Sequence, residues 1–268
     1  VTRIPFTRDD AALQGYVSGT GLPLLYQHGL GGAEAQVAET VPDHPGVRRL
    51  TLECRGHGAS RPGTRRPFSI GLFAEDALAF CDAEGVGDLV VGGTSMGAAI
   101  ALRIAVRHPG RVRGLILARP AWLFAAAPET LRPYVEAAAA MRAAAPAAAK
   151  AAFAASPTGR RLAAEAPDNY ASLIGFFDAP DLAALADILA DIAGDGPGVD
   201  RQEAAALAVP TLVIGHGEDL VHPLATAEAL AATIPGARLA RIPSKQSARP
   251  AHVAAFRAAV ADFLAPLT

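Results

Sequence analysis

Residues 89–107 read LVVGGTSMGAAIALRIAVR. Three apolar residues, Leu89–Val91, lead into Gly93-Thr94-Ser95-Met96-Gly97, and Ala98–Arg107 continues with the alanine-rich composition of a helix. A strand that turns sharply into a helix lifts the serine Oγ above the sheet. Small residues two positions to either side keep the backbone from colliding with itself. The helix then points its N-terminus at the serine, so its positive end stabilises negative charge that develops there. The bare G-x-S-x-G pattern is common in proteins. Its place between a strand and a helix is what makes Ser95 a candidate nucleophile.

The same rhythm extends in both directions. Short apolar runs at Leu22–Gln27, Arg49–Cys54, Asp88–Gly92, Gly114–Ala118, Pro210–Ile214 and Ala237–Ile242 lack clear alternation, as strands buried on both faces do. Helical stretches separate them at Ala33–Thr40, Ser69–Glu84, Met96–His108, Pro223–Thr233 and about Pro250–Leu264. Repeated strand and helix predict an α/β chain with a mostly parallel central sheet flanked by helices. Thr2–Phe6 and Ala11–Val17 are expected as antiparallel strands at its start.

Residues 121–207 break the rhythm. Helical sequence predominates at Tyr134–Arg142, Ala147–Ala155 and Asp181–Ala193, with interruptions expected at Pro146, Pro157, Pro167, Pro180 and Gly194–Gly198. A helical insert between two strands reads as a lid (cap) over the C-terminal edge of the sheet, where ligands bind in open α/β folds. The expected division is therefore a core of 1–120 and 208–268 with a helical lid of 121–207. The insert's few aromatic residues (Trp122, Phe124, Tyr134, Phe153, Tyr170, Phe176 and Phe177) suggest a modest apolar pocket.

Composition narrows the function classes. Of 268 residues, 51% are apolar and 19% charged, which suits a large buried core and argues against disorder. Lysine and arginine number 24 against 26 acidic residues, for a net charge of −2 and no basic block. No nucleic-acid or membrane partner is expected on that balance, and a small molecule is the expected one. Cys54 and Cys81 form neither a disulfide framework nor a zinc pair. The opening VTRIP has no apolar signal stretch, so a cytoplasmic location is expected. The sequence carries no signal for oligomeric state.

A second glycine cluster, His28-Gly29-Leu30-Gly31-Gly32, follows the first buried strand. A loop there supplies a backbone N–H to an oxyanion, and the Leu30 and Met96 amides form the expected donor pair. These segments, together with Arg55-Gly56-His57-Gly58-Ala59-Ser60 and Pro210–Ile214 followed by Asp219 and Pro223, resemble the α/β-hydrolase fold, in particular its lidded esterases and lactonases. The resemblance spans essentially the whole chain, loosely in the insert. It implies that Asp219, ahead of the weaker candidate Glu218, is the acid of a catalytic triad. It also implies a histidine base directly after the last strand, usually in a Gly-His pair.

The base is where this chain departs from the pattern. The stretch after the last strand reads Ile242-Pro243-Ser244-Lys245-Gln246-Ser247-Ala248-Arg249-Pro250, and the expected place falls near Gln246 or Ser247. A serine hydroxyl without a base in hydrogen-bond reach is a poor nucleophile. Two histidines are open as substitutes. His222 lies three residues after Asp219 and before Pro223. His252 keeps the chain order Ser, Asp, His but falls in the final helix. A triad with neither is the third possibility. Lys245 and Arg119 are candidates for binding an anionic substrate, and Trp122 for packing against its apolar part. The expected activity is a serine hydrolase acting on a small carboxylic ester or lactone, with no cofactor. Alternatives are a lyase, a C–C hydrolase or an acyl-transfer enzyme on the same fold, or a non-catalytic binding protein with a degraded triad. The serine at position 95 disfavours a dehalogenase, whose relatives carry aspartate there.

Overall fold

A computed structural model describes residues 1–268. Eight strands form one sheet: Thr2–Arg8 (β1), Ala11–Gly19 (β2), Leu22–Gln27 (β3), Val47–Leu52 (β4), Leu89–Thr94 (β5), Val112–Ala118 (β6), Thr211–Gly215 (β7) and Arg238–Arg241 (β8). Their spatial order is β1-β2-β4-β3-β5-β6-β7-β8. Strands β3 to β8 run parallel, whereas β1 and β2 are antiparallel, with β2 pairing to β4. The chain moves from β3 out to β4 and returns to β5 on the other side of β3. The strand order reverses there, and the loops leaving β3 and β5 diverge to open a crevice at the sheet's C-terminal edge.

Both faces of the sheet are covered. Helix α1 (Glu34–Thr40) and α11 (Arg249–Leu264) lie on one face, and α2 (Ile70–Ala83), α3 (Met96–Arg107) and α10 (Leu224–Thr233) on the other. On β5, Val90 packs with the first group while Leu89 and Val91 face the second. Successive side chains alternate between two dry faces, so the strand reads as an unbroken apolar run.

Between β6 and β7 the chain is helical: α4 (Arg132–Ala143), α5 (Pro146–Ala155), α6 (Pro157–Glu165), α7 (Pro167–Gly175), α8 (Leu182–Gly194) and α9 (Arg201–Ala205). Sequence reasoning located α4, α5 and α8 and took the intervening prolines as breaks. Pro146, Pro157 and Pro167 instead open α5, α6 and α7. In the first turn the missing proline N–H has no carbonyl to meet in any case, and the fixed φ is already helical. The end of α8 is tied to the start of α2: Phe68 N–H donates to Asp191 at 2.9 Å and Ile70 N–H to Asp195 at 2.7 Å. Ile70 N–H is a donor that the N-terminus of α2 leaves unpaired, and the carboxylates also meet its positive end.

One ion pair holds the loop after β4. Arg55 is fully buried, and its Nε and Nη2 donate to Asp76 on α2 at 2.7 and 3.0 Å, with a further bond to Asp9 at 2.9 Å. Asp76→Ala strands a buried guanidinium, so urea unfolding should show a loss of about 3–5 kcal/mol. A loss below about 1 kcal/mol would mean that Asp9 alone satisfies Arg55, against this reading.

Candidate active site

Five loops at the C-terminal ends of parallel strands converge. Leu30 follows β3, Ser95 β5, Arg119 β6, Asp219 and His222 β7, and Lys245 β8. Ser95 sits at φ 57° and ψ −111°, a left-handed conformation that a non-glycine residue adopts only under constraint. The flanking glycines make that turn possible. A Cβ on Gly93 would lie 2.2 Å from the Gly97 carbonyl carbon, and one on Gly97 would lie 2.1 Å from the Gln27 oxygen. The Ser95 N–H donates to Ala118 O at 2.9 Å, pinning the turn to the end of β6. Met96 is the first residue of α3, so its N–H has no intrahelical acceptor. The Leu30 N–H, in the turn after β3, likewise donates to no backbone oxygen.

The structure brings Ser95 to His222 and leaves His252 elsewhere. Ser95 Oγ and His222 Nε2 are 2.8 Å apart, and His222 Nδ1 lies 3.0 and 3.1 Å from the two Asp219 carboxylate oxygens. With Nδ1–H donating to the carboxylate, Nε2 is left as the acceptor for the serine hydroxyl. Three residues suffice to fold carboxylate and imidazole together, because Asp219 Oδ1 accepts from the N–H groups of Val221 and His222 at 3.2 and 2.9 Å, closing a tight turn. Pro223 then holds His222 out of helical conformation. His252 lies in α11, where its ring contacts His216 with centroids 4.8 Å apart and its Nδ1 lies 3.0 Å from Pro243 O. Burial pushes its pKa down to about 4.

Asp219 is held from three directions. Arg119 Nη2 and Nε donate to Oδ2 at 2.6 and 3.2 Å, and Asn169 Nδ2 donates to Oδ1 at 3.0 Å. Asn169 Oδ1 in turn accepts from Leu220 N–H at 2.9 Å, which fixes the 219–222 turn against α7. Arg119 reaches the carboxylate from a left-handed backbone, φ 44°, with its N–H on Ile214 O at 2.8 Å. Its Nη2 is also 3.3 Å from His222 Nδ1. Both groups donate, so this approach is two donors converging on one carboxylate. Burial opposes the charge on Asp219, but His222 and Arg119 outweigh it and hold the carboxyl well below the usual range. Burial lowers the His222 pKa below its ordinary value. The Asp219 charge opposes that shift, and Arg119 adds to it.

The cavity over Ser95 has a volume of about 70 Å³. Its wall includes Leu30, Gln36, Arg119, Tyr134, Asn169, Phe176 and Lys245, so α4, α7 and the turn after α7 contribute to it. It is more polar than the aromatic content of the helical segment suggested, because Asn169 and Ser172 come from α7 and Lys245 from the loop after β8. Lys245 Nζ is paired with Asp168 at 2.8 Å. Trp122 does not line this cavity: it is buried, with its indole N–H on Asp195 O at 2.8 Å. Arg119 lines it, but with its guanidinium committed to Asp219. His28 does not face the serine. Its Nε2 accepts from Cys54 N–H at 3.0 Å and its Nδ1 lies 2.8 Å from Gly29 O, and burial takes its pKa down to about 3. Sequence reasoning missed Asn169 and Gln36, which belong to no motif. Their only signal was a polar side chain near the start of a short helix.

Comparison with known proteins gives the same architecture. A 104-residue stretch is 32% identical to the 2-hydroxymuconate semialdehyde hydrolase of Pseudomonas sp. strain CF600, and the match spans 37% of this chain and 37% of that protein. The enol-lactonase of Burkholderia xenovorans superposes with a TM-score of 0.72 at 25% identity, over 96% of this chain and 98% of the other. A meta-cleavage product hydrolase from Pseudomonas fluorescens gives 0.73 at 18% identity over 97% and 96%, a likeness of fold alone. No helix is long and apolar enough to cross a membrane. The family profile for the alpha/beta hydrolase fold matches residues 23–245, and with the sheet order and the serine turn this places the chain in that family.

Proposed function

We propose that this protein is a serine hydrolase of small carboxylic esters or lactones. The observation that carries the reading is the continuous hydrogen-bond chain from Ser95 Oγ through His222 to Asp219, 2.8 Å and then 3.0 Å. In this mechanism Ser95 attacks the carbonyl carbon while His222 Nε2 takes its proton, and Asp219 orients the ring and stabilises the imidazolium. The carbonyl oxygen becomes an oxyanion facing the Leu30 and Met96 amides. His222 then protonates the leaving oxygen, and water, deprotonated by the same imidazole, releases the acid. The helical segment 121–207 acts as a cap, since Tyr134, Asn169 and Phe176 close the cavity from above. The chemistry needs no cofactor.

A second reading is hydrolysis of a carbon–carbon bond next to a carbonyl by the same residues. It draws on the partial match to 2-hydroxymuconate semialdehyde hydrolase. Turnover of dienone acids with no turnover of esters would favour it.

With p-nitrophenyl acetate as substrate, Ser95→Ala and His222→Ala should each lower kcat/KM by about 10⁴-fold or more, whereas His252→Ala should cost less than about tenfold. The reverse pattern for the two histidines would overturn the assignment. Undiminished turnover in Ser95→Ala would overturn the mechanism.

The pH profile tests the electrostatics. Catalysis needs neutral His222, so kcat/KM falls as pH drops through the His222 pKa, which lies below the ordinary histidine value. Arg119→Met removes a cation that disfavours the imidazolium, so the acid limb should move to higher pH. Arg119→Lys should retain most of the wild-type profile. An unmoved limb in Arg119→Met, with folding intact by circular dichroism, would contradict the part given to Arg119.

A further inference from the structure

A second, larger cavity of about 470 Å³ opens on the outer side of the loop after β3. It lies between Gly56–Pro62 of the loop after β4 and residues 175–185 at the junction of α7 and α8. The outer cleft and the cavity over Ser95 share a single lining residue, Phe176. Its ring stands against Gly31, beside the Leu30 amide. A Cβ on Gly31 would fall 2.1 Å from ring atom Cε1, so the ring packs directly on this glycine, whose φ of +71° is one that other residues adopt only with strain. The Tyr134 ring lies on another side, with centroids 6.2 Å apart. Phe176 is half-buried in a single 3₁₀ turn, Phe176–Asp178, rather than locked in a long helix.

We propose that Phe176 sets the acyl-chain length this enzyme accepts, as the wall between a short-acyl cavity and an outer cleft able to take a longer chain. The inference rests on the serine-hydrolase reading and names its substrate class, esters of short carboxylic acids. The orientation follows from the chemistry. The leaving oxygen must lie against His222 Nε2 to receive its proton, and His222 is absent from the outer cleft. The substituent that extends past the oxyanion loop toward Phe176 is therefore the acyl chain. The inner volume of about 70 Å³ corresponds to about two waters at ~30 Å³ each, room for no more than a short acyl group. Removing the ring joins that space to one several times larger.

The test compares kcat/KM for p-nitrophenyl acetate, butyrate and octanoate in wild type, Phe176→Leu and Phe176→Ala, with thermal unfolding to confirm folding. Wild type should prefer acetate. The octanoate-to-acetate ratio should rise about tenfold or more in Phe176→Ala, with Phe176→Leu between the two. Leucine keeps an apolar side chain in the turn and serves if the alanine variant does not fold. A ratio within about twofold of wild type in folded variants would overturn the proposal. In a parallel series of acetate esters of lengthening alcohols the variants should show no such shift; a shift confined to that series would overturn the proposal, since the wall would then face the leaving group. Absence of ester turnover in wild type would overturn the parent reading, and this one with it.

Discussion

Asp219 carries an ionised carboxylate in a place almost free of water, and the site is assembled around making that tolerable. A buried carboxylate costs several kcal/mol unless donors replace its hydration. Here Oδ1 receives Asn169 and the N–H groups of Val221 and His222, and Oδ2 receives Arg119. The donors come from three parts of the fold: the turn itself, α7 of the helical segment and the loop after β6. Satisfying this one charge therefore fixes two loops and a helix relative to one another, and with them the imidazole that meets Ser95. Strain is spent at the same place. Ser95, Arg119 and Glu218, three of the five non-glycine residues with positive φ, flank the carboxylate or the hydroxyl it serves.

Placing carboxylate and imidazole in one turn changes the electrostatics of the pair. A histidine three residues from its carboxylate is held by the same backbone that presents the carboxylate, so little freedom is lost in bringing the two together. The arrangement also brings Arg119 within 3.3 Å of the imidazole. The guanidinium stabilises the carboxylate and opposes the imidazolium. Burial is the larger cause and Arg119 adds to it, so the imidazole stays neutral to below the usual histidine range, at some loss of proton affinity. In the loop after β8, where the family pattern puts its histidine, Lys245 pairs with Asp168 and helps close the cavity.

How far the amino-acid order disclosed this site follows from the range of each interaction. The serine turn is local: glycine at 93 and 97 answers steric demands made within five residues and by the neighbouring strand end, so residues 89–107 sufficed. The parallel sheet was equally open, because its central strands bury both faces and read as apolar runs. The choice between His222 and His252 was not, since the bond to Ser95 spans 127 positions and depends on the path of the loop after β7. Asn169 was missed because one amide in an alanine-rich helical segment acquires meaning only from the carboxylate it meets. Arg119 was placed at the pocket edge, but its partner is the carboxylate at 219, a contact that no spacing encodes. The prolines opening α5, α6 and α7 misled because a proline that starts a helix and one that stops it look alike until the helix is seen.

Activation of the Ser95 hydroxyl by His222 is the proposal on which the rest depends. Peptide mapping by mass spectrometry after timed exposure to a fluorophosphonate tests it without knowledge of the natural substrate. A single adduct on Ser95 is expected, with its formation slowed strongly by His222→Gln and little by His252→Gln. An adduct elsewhere, or one that forms on Ser95 at an undiminished rate when His222 is replaced, would contradict it.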